Sequence, residues 1–145
     1  METKSEIAAE VFSKGFNCAQ AVLSSHCEGL GLDPVLAKKV AGAFGAGMAN
    51  NGETCGAVTG ALMLIGLKYG KYREDDTTAK ADTIRISNAY MEKFKEQFGS
   101  VKCRDLINVD FKNEAEAAKA RESGVFKTIC PKFIKKSVEL VGEFL

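Results

Sequence analysis

The sequence predicts an all-α fold, a single-domain helical bundle with a buried central helix. Three observations lead there. Apolar residues recur at helical spacing through most of the chain, good helix-capping residues precede several of those runs, and no pair of alternating segments reads as strands. With 145 residues the chain fits one domain, residues 1–145, large enough to bury a core without disulfides or metals.

The first element runs over Glu6 to Ser13, where Ile7, Ala8, Val11 and Phe12 form one apolar stripe, and Gly15 ends it. Asn17 then caps a second helix that places Cys18, Ala21, Val22 and Ser25 on a common face. Gly29 and Gly31 break the chain before Asp33-Pro34, a cap followed by proline at the first helical position, which opens a helix reaching Ala41. The next stretch, AGAFGAGMANNGET, carries four glycines and reads as a loop.

From Cys55 to about Tyr69 the chain is apolar nearly all round, the signature of a helix buried on every side. Gly56 and Gly60 lie one turn apart in it, so a neighbouring backbone or a bound group can approach closely, and both are candidate cofactor contacts. A charged turn, Arg73 to Asp76, precedes a long helix over Thr78 to Phe98 that Gly99 stops. Ser100 is placed to cap a short helix holding Cys103, Leu106 and Ile107, and Asn113 to cap another across EAEAAKARE that Gly124 closes. The last helix is expected to begin at Cys130, with Pro131 at its first position and Phe133, Ile134, Val138, Val141 and Leu145 on its apolar face.

Composition narrows the function. Twenty Lys and Arg against nineteen Asp and Glu leave a net charge of +1, too little to drive nucleic-acid binding. The amino terminus has no apolar signal region and the longest apolar run is too short to span a bilayer, so a cytoplasmic protein with no membrane partner is expected. Five cysteines in a reducing compartment do not build a disulfide framework, and an odd number cannot all pair.

Four of them, Cys18, Cys55, Cys103 and Cys130, each fall at an expected helix start. Unpaired N–H groups and the positive end of the helix dipole favour a thiolate there, the form that acts as nucleophile and as metal ligand. Four such positions on separate helices suit one shared redox or metal site. The bland alternative, four cysteines that merely fill space, weighs less for a set than for any one of them. No C-x-x-C occurs, which excludes thioredoxin-like, zinc-ribbon and ferredoxin arrangements, so a shared site has to be assembled by folding. Cys27 beside His26, the only histidine, falls outside the set. The glycine-rich stretch lacks phosphate-loop spacing, and Tyr69, Lys71, Tyr72 and Arg73 read as a solvated turn.

At these residues the chain resembles the family labelled redox-active and named for the pattern C_GCAxxG_C_C. GFNCAQAVL is similar to its first cysteine element, ETCGAVTGALMLIGL to its central one, CRDL to its third and CPKFI to its fourth. The centre here reads Cys55-Gly56-Ala57 where the family's name orders Gly-Cys-Ala, with Gly60 kept. The resemblance implies a helical protein with a redox or metal site at Cys18, Cys55, Cys103 and Cys130. It also implies kinship with domains of multihaem electron-transfer proteins that carry an iron-sulfur centre, although no C-x-x-C-H haem motif is present.

Three functions follow as expectations. The first is an electron-transfer protein in which the four thiolates bind an iron-sulfur cluster or another thiophilic metal, served by a redox partner the sequence does not identify. The second is a dithiol oxidoreductase without metal, and the third a helical interaction module whose cysteines only pack. Apolar helix faces are compatible with a homodimer.

Overall fold

The computed structural model describes residues 1–145 and is entirely helical apart from turns and one isolated bridge. Helices α1 (Lys4–Ser13), α2 (Cys18–His26), α3 (Pro34–Val40) and α4 (Gly56–Tyr69) are followed by α5 (Ala79–Phe98), α6 (Cys103–Leu106), α7 (Glu114–Ser123) and α8 (Val125–Gly142). Helix α4 is central, packed against α2, α5 and α8, while α1 closes the bundle across α2 and α8. No helix is long and apolar enough to cross a membrane.

Local chemistry accounts for most boundaries. Thr3 and Glu6 form a capping box that starts α1 at Lys4, two residues before the expected start at Glu6. Asn17 and Gln20 form another at α2, and Asp33 accepts from the Val35 and Leu36 N–H groups ahead of Pro34 in α3. Asn113 caps α7 through Glu116, and Gly99 ends α5 in a left-handed conformation. Ser100 does not cap α6: its hydroxyl accepts from the Lys102 N–H and donates to Asp105, and Lys102 takes the cap position.

The expected start of the last helix is also wrong. Cys130 does not begin the last helix, because α8 starts at Val125 and carries Pro131 inside it. Gly124, left-handed at φ 75°, is both the end of α7 and the cap of α8, so the chain turns there instead. A proline in a helix interior forfeits one backbone hydrogen bond and costs about 3 kcal/mol. Burial of Cys130, Phe133, Ile134, Ser137, Val138 and Val141 on one face of α8 outweighs that cost.

The core is aromatic where α5 meets α8. Phe98 and Phe133 sit edge to face at 4.9 Å, with Phe94 beside both. Deeper in, Ser137 on α8 donates to the Ala57 carbonyl at 2.6 Å and lies 2.6 Å from the Tyr90 hydroxyl of α5. Three helices are thereby tied at the first turn of α4. In Ser137→Ala the Tyr90 hydroxyl keeps only the Ala57 carbonyl at 3.4 Å, and a buried polar group so stranded costs about 1–3 kcal/mol. The urea midpoint should fall accordingly, and adding Tyr90→Phe should restore part of the loss, since both partners are then gone.

Candidate four-cysteine site

All four expected cysteines line one cavity of about 230 Å³. They reach it from four separate elements, which is how distant positions meet without a C-x-x-C. Cys18 is the first residue of α2, held by the Asn17 capping box; Asn17 also donates to the Ala41 and Gly42 carbonyls, fixing the 41–54 loop against α2. Cys130 comes in from the middle of α8.

Cys55 and Cys103 arrive together. Thr54 and Lys102 form an antiparallel bridge, in which the Cys55 N–H donates to the Val101 carbonyl at 2.8 Å and the Cys103 N–H to the Glu53 carbonyl at 2.7 Å. Both cysteines follow the bridged residue on their own strand, so alternation turns both side chains to one face. Two hydrogen bonds thus set these thiols in register at the point where each chain segment turns into a helix. The sequence pattern missed this, because a bridge of one residue pair has no periodicity to detect.

Around the sulfurs the walls are largely apolar: Phe12, Phe111, Phe126 and Phe133 with Leu106 and Ile107. Asn17, Asn50 and Arg121 are the polar side chains, and no carboxylate lines the cavity. The protonation of the thiols follows from this setting, and for Cys18, Cys55 and Cys103 it runs against the expectation of thiolates stabilised at helix starts. Burial pushes Cys55 up to about 12, even though the Ala57 and Val58 N–H groups at the start of α4 oppose the rise. Burial likewise pushes Cys103 up to about 12, and α6 is a single turn with little dipole to offset it. Cys18 is held well above the ordinary thiol range, first by its interaction with the neighbouring Cys130 and then by burial; the same interaction lowers Cys130. At Cys55 and Cys103 desolvation therefore dominates helix-end electrostatics.

No three of the chain's His, Cys, Asp or Glu side chains stand close enough to hold one ion between them. A closed tetrahedral zinc site, with zinc–sulfur bonds of about 2.3 Å, needs its sulfurs within roughly 4 Å of each other. The four thiols instead surround a space larger than the ~150 Å³ apolar cavity that admits a benzene-sized molecule.

Of the two candidate glycines, Gly56 lines the cavity and Gly60 does not. Both lie where α4 crosses α2. A Cβ at Gly56 would stand 2.8 Å from the Ala19 nitrogen and 2.9 Å from the Cys18 Cβ, and one at Gly60 2.8 Å from the Ala19 carbonyl oxygen. Their absence of side chain lets α4 lie against the first turn of α2, and that contact brings Cys18 alongside Cys55. Cys27 is fully buried at the end of α2, near the Ser24 carbonyl and outside the cavity; the neighbouring His26 Nε2 has no partner.

No curated relative and no solved structure matches the chain. The family model described as "Putative redox-active protein (C_GCAxxG_C_C)" matches residues 16–144, a span that takes in all four cavity cysteines and nearly the whole bundle. The cysteine pattern and the match across its length agree: this chain belongs to the C_GCAxxG_C_C family, whose label is redox activity.

Proposed function

We propose that the chain is an electron carrier whose Cys18, Cys55, Cys103 and Cys130 thiolates hold an iron-sulfur cluster. The observation that carries this reading is the convergence of four thiols from four elements on one largely apolar cavity. Soft thiolate donors select iron-sulfur clusters, zinc or copper(I). A cluster suits the spread of the sulfurs better than a single ion does, since iron and sulfide lie between its ligands. When bound, such a group takes up and gives up single electrons without a change of ligands.

The chain's own part is distinct. Phe12, Phe111, Phe126 and Phe133 keep water from the sulfurs, and Gly56 lets Cys18 approach Cys55. With nothing positive bound, burial keeps Cys55 and Cys103 protonated at neutral pH, and the neighbouring Cys130 together with burial does so for Cys18, so loading has to release protons and strengthens as pH rises. Protein prepared without oxygen should contain iron and acid-labile sulfide with sulfide-to-iron charge-transfer absorption. Absence of both after reconstitution with ferrous iron and sulfide would sink the proposal.

A second reading rests on Cys18 and Cys130, which line the same cavity and shift each other's protonation in opposite directions. These two thiols could close a disulfide, releasing two electrons and two protons to an acceptor. It expects two thiols, at Cys18 and Cys130, to disappear reversibly on oxidation of metal-free protein, with the others free to react.

A further inference from the structure

The rim of the cysteine cavity holds the most strained backbone in the molecule. Ala46, Gly47, Met48, Ala49 and Asn50 are consecutive and all left-handed, with φ between 49° and 71°. Each non-glycine residue so placed costs roughly 1–2 kcal/mol, and such a run persists only when its surroundings impose it. The Ala49 N–H donates to the Ala43 carbonyl at 2.7 Å, and those of Gly52 and Glu53 reach back to Ala46 and Gly47. A Cβ at Gly47 would stand 2.4 Å from the Glu53 nitrogen, so that position admits only glycine.

What the turn leaves open is a row of donors. The N–H groups of Gly45, Ala46, Gly47 and Met48 meet no backbone acceptor, and Gly47 is buried. Buried N–H groups without a partner are rare in folded proteins, and successive ones form anion-receiving concavities. Three of these residues line the thiol cavity. On the same lining sits Arg121 of α7, which makes no ion pair and is the cavity's sole formal charge.

Resting on the cluster reading above, we propose that the 45–48 turn and Arg121 form a charge-compensating rim: the N–H groups donate to sulfur of the bound cluster, and Arg121 holds its negative charge. Four thiolates with iron and sulfide carry net negative charge, and one further electron from an external one-electron donor adds to it, with no bond or proton exchanged. Arg121 and the N–H row favour that added electron, so they raise the reduction potential. Arg121 is a positioning and tuning residue, not a ligand.

The test uses full-length wild type, Arg121→Gln and Arg121→Lys, each reconstituted anaerobically with ferrous iron and sulfide. Arg121 is exposed, so both variants should fold and bind as much iron as wild type. Arg121→Gln should hold the added electron about tenfold more weakly, a negative shift of 59 mV for one electron, while Arg121→Lys stays near wild type. The gap should narrow in high salt. In hydrogen exchange, the amides of residues 45–48 should slow at least tenfold on loading of wild type, beyond any change at Gly52 and Glu53, whose N–H groups are already bonded. An unchanged potential in Arg121→Gln, or amides at 45–48 no slower than their neighbours, overturns the rim and leaves the cluster standing. Wild type that binds neither iron nor sulfide overturns the cluster reading and the rim with it.

Discussion

Replacing any one of Cys18, Cys55, Cys103 or Cys130 by alanine should lower the iron and sulfide bound after anaerobic reconstitution by at least about tenfold. Loss of a partner that merely orients a ligand already costs 10–100-fold in affinity, and loss of the ligand itself is more severe. Alanine is preferred to serine because a hydroxyl can still coordinate. Cys27→Ala is the matched control. Cys27 is as deeply buried as the four but lies outside the cavity, so that variant should lose a little stability and bind iron as wild type does. The same panel separates the two redox readings. If the chemistry is a Cys18–Cys130 disulfide, Cys55→Ala and Cys103→Ala will keep reversible thiol loss in metal-free protein, and Cys18→Ala and Cys130→Ala will lose it. Full iron content in any of the four would remove that cysteine from the ligand set.

The parts of this site that sequence made legible are those governed by local rules. Asn17, Asp33, Asn113, Gly99 and Gly124 mark helix ends because a side-chain acceptor or a left-handed glycine is decisive within one turn, whatever surrounds it. The burial of α4 shows in its nearly continuous apolar run, interrupted by Thr59 and ending at Lys68. Pro131 misled because the same residue that favours a first turn also survives inside a helix when one face is deeply buried, and burial is a tertiary property. The thiol protonation was misread for a related reason. A helix start was expected to lower each pKa, yet the aromatic wall that desolvates the sulfurs comes from α1, α8 and the 107–113 segment, none of them adjacent in sequence to Cys55. The Thr54–Lys102 bridge and the left-handed turn had no signal beyond a glycine-rich, polar composition. What the four cysteines did offer was their number and the place of three of them, Cys18, Cys55 and Cys103, at helix starts, and that sufficed to expect their meeting although Cys130 lies inside α8.

Metal-free, reduced protein should lose stability steeply as pH rises from about 9 toward 12. Cys55 and Cys103 are pushed up to about 12 in the folded chain, whereas thiols in an unfolded chain titrate near ~8.5. Between those values the native state holds protons that the unfolded state has lost. Stability contributed by the two groups is therefore complete below the unfolded value and declines as pH climbs, by up to about 1.4 kcal/mol per pH unit for each thiol. Urea midpoints at pH 8, 9 and 10, in a reductant and a chelator, measure the slope. A protein lacking both groups, Cys55→Ala with Cys103→Ala, should show a markedly flatter profile, which isolates their contribution from that of the rest of the chain. Loading with iron and sulfide should flatten the wild-type profile too, because thiols bound to a positive centre are already deprotonated in the fold. A steep slope that survives both loading and the double substitution would mean that these sulfurs are neither the titrating groups nor the ligands. A flat slope in metal-free wild type would mean that solvent reaches the cavity freely, and the desolvated setting argued for the site would be lost.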